Sequence, residues 1–159
     1  MKSRKFNLNG RVGIRTATAA DLSHVRDLIR QYYEFDDIPF DGNAISSGLK
    51  ILLKDPALGE VWLVEDRDLP VGYLVFTFGF DLEFGGRQAT VTDFYLAPKY
   101  RGKGLGRKAL TRVIETLRTL GVPAVELQVS KNNSRALAFY KRLGFQSHAR
   151  IPMSKSTNS

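Results

Sequence analysis

The chain has 159 residues, 43% of them hydrophobic and 25% charged, an ordinary globular balance with room for one core of useful size. It has no cysteine, which excludes disulfides, thiolate metal sites and a cysteine nucleophile, and its only histidines, His24 and His148, are too far apart in sequence to suggest zinc. Nothing approaches the roughly 18 consecutive apolar residues of a membrane span, and polar Asn7-Leu8-Asn9-Gly10 stands where a secretory leader needs an apolar run. A soluble, cytoplasmic protein without structural metal and without a membrane partner is expected.

The net charge of +8 is unevenly placed, with a balance of −3 over residues 1–96 and +11 over residues 97–159. A basic half suits a polyanion, either nucleic acid or a cofactor with several phosphates, although a solvated face gives the same pattern.

In chain order, residues 1–10 read as a loose tail, 11–153 as one domain and 154–159 as a second tail. Val12–Arg15 reads as a short strand. Leu22, Val25, Leu28, Ile29 and Tyr32 then recur at helical spacing, with Thr18 as an N-cap. A weaker helix over Ala44–Lys54 stops at Asp55-Pro56. Glu60–Asp66 and Val71–Phe80 form a hairpin across the turn 66–70, and Gly85-Gly86 supplies a second, type I′ turn into the strand Gln88–Leu96. After Pro98, Leu105, Ala109, Leu110, Val113, Ile114, Leu117 and Leu120 form a stripe of 3.6-residue period closed by Gly121. A strand at Ala124–Val129, a helix at Ser134–Leu143 stopped by Gly144, and a last strand within Phe145–Met153 complete the pattern. Strand–helix–strand units join parallel neighbours, so an α/β fold with a mixed sheet of six or seven strands and about four helices is expected.

Asp93-Phe94-Tyr95-Leu96-Ala97-Pro98-Lys99-Tyr100-Arg101-Gly102-Lys103-Gly104-Leu105-Gly106 runs from a strand through a glycine-rich turn into a long amphipathic helix. Glycines let backbone approach a ligand closely, and the unpaired first-turn amides and helix dipole suit a pyrophosphate. Arg101, Lys103, Arg107 and Lys108 add cations. Glycines at 102, 104 and 106 followed by Arg107-Lys108-Ala109 match neither a Walker A loop nor a G-x-G-x-x-G dinucleotide turn.

Arg101-x-x-Gly104-x-Gly106 after Phe94-Tyr95-Leu96-Ala97-Pro98 resembles the acyl-CoA signature of the GCN5-related N-acetyltransferases (GNAT), Gln/Arg-x-x-Gly-x-Gly/Ala. The segment from Asn132 to Phe145, and Ile14-Arg15-Thr16-Ala17-Thr18 before Asp21, are similar to the stretches that close the family's cofactor site and open its domain. The resemblance covers about Val12 to Met153 and implies the GNAT fold, with acetyl-CoA as acyl donor. It also implies that the backbone of Phe94, Tyr95 and Leu96 pairs with the pantetheine arm. Amides from Arg101, Gly102, Lys103, Gly104, Leu105, Gly106 and Arg107 would hold the pyrophosphate, and Asn133 would touch the cofactor. Two parallel strands ending near Leu96 and Val129 would splay to admit the thioester, beside which Tyr140 would stand as general acid. Homodimers are common among such proteins, so a homodimer is expected.

An alkyl ammonium of pKa about 10.4 must lose a proton before it attacks, at roughly 4–5 kcal/mol near pH 7, so a base is required. Many family members carry Glu just before the aromatic pair, where Thr92 stands here. Asp93 is the nearest carboxylate, although strict alternation would turn it away; Glu83 and Glu126 are the alternatives. Without cysteine, direct transfer in a ternary complex is expected. Asp36, Asp37, Asp41, Asp81 and Glu83 would attract a cationic acceptor. The stretches 82–86 and 93–96 are similar to the diamine, polyamine and lysine-type branch, which implies a small cationic amine or a lysine side chain as acceptor. Two other readings are a catalytically silent acyl-CoA sensor and a basic nucleic-acid-binding module. Against the second, the cations surround one glycine turn and form no stripe.

Overall fold

The computed structural model describes residues 4–157 as two compact units, one ending at Gln128 and one beginning at Val129. The first holds a six-stranded sheet in the order β1 (Lys5–Asn7), β2 (Val12–Thr16), β3 (Gly59–Asp66), β4 (Leu69–Asp81), β5 (Gly86–Leu96) and β6 (Ala124–Leu127). All pairings are antiparallel except β5 with β6, which are joined by α3 (Leu105–Thr119) and run parallel, as the strand–helix–strand pattern predicts. Between β2 and β3 come α1 (Leu22–Phe35) and α2 (Gly42–Lys54).

Side chains alternate across the sheet and divide its core between two faces. Val61 and Leu63 of β3, Tyr73 and Val75 of β4 and Tyr95 of β5 pack with Val25, Leu28 and Ile29 of α1 and Leu49 of α2. On the other face Trp62, Leu74 and Phe76 are fully buried; Phe6 of β1 stacks on Trp62 and Arg112 of α3 lies over Phe6. β3 is buried along its whole length, so its carboxylates need partners inside the protein. Glu60 takes Arg4 and the Trp62 indole N–H, Glu65 takes Arg15, and Asp66 takes Arg11 in a two-pronged pair at 2.5 and 2.6 Å. Arg15 also grips Asp21 with two bonds of 2.8 Å, and Asp21 reaches back to the Thr18 amide at 2.7 Å.

Several boundaries differ from those read in the sequence. Lys5–Asn7, expected in a tail, forms an edge strand because Lys5, Phe6 and Asn7 register against Arg15, Ile14 and Gly13, and Phe6 finds Trp62. The β3–β4 turn is only Arg67-Asp68, both in the left-handed region (φ 51° and 65°) that a type I′ hairpin demands. The β4–β5 turn is instead the four residues 82–85, closed by a Gly85 N–H···O=C Leu82 bond, and only Gly85 has positive φ. Asp41 caps α2 by accepting from the Asn43 and Ala44 amides.

The second unit contains α4 (Ser134–Arg142), capped by Asn133 at its start and followed by Gly144 at φ 92°. No strand forms within 145–153 among the described residues. The run 146–150 lacks apolar alternation, Pro152 has no N–H to give a ladder, and Ile151 and Met153 are exposed.

Candidate active site

β5 carries the site in the first unit. Its ladder with β6 matches Gln88 through Val91 to Ala124 through Leu127 and ends there, while β5 runs on to Leu96 against β4. Where it leaves β6, Thr92 is an extra residue: Val75 faces Asp93 and Phe76 faces Val91, a β-bulge that bends the strand. Cross-strand partners share a face, so the bulge puts Val91 on the Phe76 side and Asp93 on the Val75 side. Strict alternation would have kept the two together. Gly72 allows the close approach of β4, since a Cβ there would lie 2.6 Å from the Tyr95 carbonyl oxygen.

The turn after β5 is fixed from three directions. Tyr100, buried in the short 3-10 turn Pro98–Tyr100, donates its hydroxyl to Asp66 at 2.7 Å. The Arg101 Nε donates to the Leu96 carbonyl at 2.6 Å, and its guanidinium lies 4.3 Å from the Phe35 ring and 5.3 Å from that of Tyr95. Gly102 and Gly104 both adopt φ 74°, which side chains resist, and a Cβ at either would meet open space. They are therefore required for backbone direction and leave the outer side of the turn clear. The first bond of α3 runs from the Lys108 amide to the Gly104 carbonyl. The amides of Leu105, Gly106 and Arg107 precede it and point along the helix axis, at the positive end of the dipole.

The four cations of this turn are not equivalent. Arg101 is turned onto the aromatic face, and Lys108 donates to the Leu8 carbonyl at 2.9 Å. Lys103 and Arg107 are exposed at the turn. Arg107, Lys108 and Arg112 border a concavity of about 440 Å³ that also has Asn7, Leu8 and Glu115 in its wall.

Asp93 is half-buried and accepts from the Tyr73 hydroxyl at 3.3 Å. Burial raises its pKa above the ordinary carboxylate range, and the tyrosine bond only partly opposes this. Tyr73 is fully buried; burial first, then the Asp93 charge, pushes its phenol far upward, so it remains a donor. Tyr33 is pushed upward by the same two causes. Tyr32 lies edge-on to Tyr33 and Tyr73 and tilted against Tyr95, so a tyrosine cluster surrounds this carboxylate. Sequence reading missed Tyr73 and Tyr33, since only their cross-strand and helix-on-sheet placement connects them to Asp93.

Glu83 does not join this group. It is exposed on the 82–85 turn, beyond Gly86, and Asp93 lies seven steps along the strand from Gly86, or about 23 Å at roughly 3.3 Å per step. The expected acidic cluster is likewise divided. Asp36 and Asp37 follow α1, Asp41 is spent on its cap, and Asp81 accepts from the Glu83 amide in the distant hairpin. Glu126 pairs in register with Thr90 on β6, and exposed Thr92 brings no acid to the bulge.

In the second unit the Asn133 Oδ1 accepts from the Ala136 amide at 3.0 Å. Tyr140 packs edge-on against Phe139 and Phe145, and burial raises its phenol pKa, so it is a neutral proton donor at pH 7. Among the described residues no cluster of His, Cys, Asp or Glu could hold a metal, and no helix is long and apolar enough to cross a membrane.

A mixed sheet with one parallel pair joined by a helix that a glycine turn introduces defines an acyl-CoA N-acyltransferase fold. The acetyltransferase (GNAT) family model matches residues 22–145, and the chain belongs to that family. It is an acetyl-CoA-dependent N-acetyltransferase. It is 30% identical to the thialysine N-epsilon-acetyltransferase of Mus musculus over 146 residues, 84% of this chain and 83% of the relative. A crystal structure of an integron cassette protein from a Cole Harbour salt marsh metagenome superposes with TM-score 0.83 at 32% identity, covering 96% and 94% of the two chains. The aminoglycoside N-acetyltransferase AAC(6')-Iy, solved with CoA, shares the fold at TM-score 0.78 and 15% identity, with 99% of this chain and 97% of that one covered.

Proposed function

We propose that the protein moves the acetyl group of acetyl-CoA onto the primary amine of a small, lysine-like cation, with Asp93 as general base and Tyr140 as general acid. The observation that carries this reading is the turn itself. Gly102 and Gly104 give the chain its left-handed turn after β5, and the amides of Leu105, Gly106 and Arg107 precede the first bond of α3 and so have no intrahelical partner. That arrangement suits a pyrophosphate, with Lys103 and Arg107 as its exposed counter-charges. The backbone from Phe94 to Leu96, beyond the last pair of the β5–β6 ladder, is read as the stretch that takes the pantetheine arm, as the family resemblance implies.

Acetyl-CoA supplies an activated thioester. The acceptor ammonium gives its proton to Asp93, whose raised pKa makes it a better base than an ordinary carboxylate. The free amine attacks the carbonyl carbon and a C–N bond forms; as the tetrahedral intermediate collapses the C–S bond breaks, Tyr140 protonates the departing thiolate, and the proton shed by the new amide nitrogen returns through solvent to the Tyr140 phenolate. A lysine-like acceptor is supported by the similarity to the thialysine enzyme. The family resemblance also supports a homodimer, which light scattering tests directly.

Release of CoA from acetyl-CoA, measured over thialysine, lysine, lysine peptides, diamines, polyamines and aminoglycosides, tests the reading. Turnover led by lysine-like amines is expected. Turnover led by another class reassigns the acceptor, thermal stabilisation by acetyl-CoA without turnover points to a silent sensor, and absence of both turnover and stabilisation overturns the reading.

A further inference from the structure

A fully buried tyrosine hydroxyl needs a partner, whereas phenylalanine would fill the same space without that demand. Tyr73 lies in a packed wall, its ring 6.5 Å from that of Tyr32 and 6.3 Å from that of Tyr95, and its hydroxyl reaches Asp93 at 3.3 Å. Every other buried carboxylate of the sheet is matched by an arginine; no lysine or arginine forms an ion pair with Asp93 among the described residues. The groups around it are Tyr73 from β4, Tyr95 from β5 and Tyr32 and Tyr33 from α1, while α2 adds apolar side chains to this cluster. Arg101, the cation against Tyr95, is held over that ring and bonded to the Leu96 carbonyl.

We propose that Tyr73 is the positioning residue of the acetyl transfer: its hydroxyl, delivered from the buried face of β4, aims the Asp93 carboxylate at the acceptor amine. The inference rests on the reading of Asp93 as base. The bulge at Thr92 brings the carboxylate onto the face where Tyr73 stands, and the hydroxyl occupies Oδ2, leaving Oδ1 for the acceptor's proton. A donated bond favours the charged carboxylate, so it also limits how far burial lifts the pKa.

The test is the pH profile of kcat/KM for wild type, Tyr73→Phe, Asp93→Asn and the double variant, with acetyl-CoA and the best acceptor. Tyr73→Phe should lower kcat/KM about tenfold near neutrality and move the acid limb to higher pH by roughly half a unit to one unit. In the Asp93→Asn background the same change should do almost nothing. Since Tyr73 is buried, 3-fluorotyrosine at position 73 provides a near-isosteric second probe: a stronger donor should move the limb to lower pH. An unmoved limb in both Tyr73 variants, with Asp93→Asn inactive, overturns the positioning role and leaves the base intact. Full turnover by Asp93→Asn overturns the base reading itself.

Discussion

Along β3, Glu60, Glu65 and Asp66 are buried and meet Arg4, Arg15 and Arg11, whereas on β5 the half-buried Asp93 meets only a tyrosine hydroxyl. The two regions are chemically opposite. Arginine bonds hold Asp66, and Asp21 on the same Arg15, down to a pKa of about 2, while burial pushes Asp93 upward. A carboxylate that secures the sheet is most useful when permanently charged; one that takes a proton must be able to hold it. Burial matched by arginine thus marks the framework carboxylates of the sheet, and burial without one marks the carboxylate proposed as base.

The comparison breaks most severely if Arg15 is removed. Arg15→Met leaves Asp21 and Glu65 buried without their partner, and denaturant unfolding should show a loss of about 3–5 kcal/mol, with kcat per folded molecule little changed. Asp93→Asn should do the reverse. Turnover should fall by roughly 10²-fold, while the melting temperature holds or rises slightly, since a carboxylate with a raised pKa opposes folding when ionised. Tyr140→Phe should cost about tenfold in kcat at unchanged acetyl-CoA affinity, read by calorimetry and steady-state rates.

Acid separates the two regions on one axis. Asp21 and Asp66 have folded pKa values below their unfolded ones, so their stabilisation is complete above about pH 4 and is lost as pH falls toward 2. Activity should fail earlier, as Asp93 is protonated above the ordinary carboxylate range. Parallel thermal melts and rates from pH 8 to 2.5 should therefore show activity lost while the fold persists; coincident loss would deny the distinction. The smallest effect is expected at Gly104→Ala, where φ 74° costs about 1–2 kcal/mol in the turn, seen as weaker acetyl-CoA binding with little change in kcat.

Much of this architecture was legible in the chain. The stripe from Leu105 to Leu117, the closing glycines at 121 and 144, and the meander before Pro98 all obey local rules of period and backbone angle. The glycine turn was legible for the same reason. Asp93 was legible as a candidate, but its face was not: strict alternation turns it away, and one extra residue, Thr92, reverses the phase. Nor did counting cations at the turn show that Arg101 would lie on Phe35 and Tyr95, 60 or more positions of chain having to fold back before α1 meets β5.

By itself, then, the sequence determined what depends on near neighbours: the helices, the hairpins, the αL glycines of the turn before α3 and hence the family. The tertiary structure decided which carboxylates meet arginine and which meets tyrosine, drew Lys5–Asn7 into the sheet, left 145–153 without a strand and sent Asp81 and Glu83 to the far end of β5. Those outcomes depend on strand register and on what packs across each face, and a register changes face with every single-residue step.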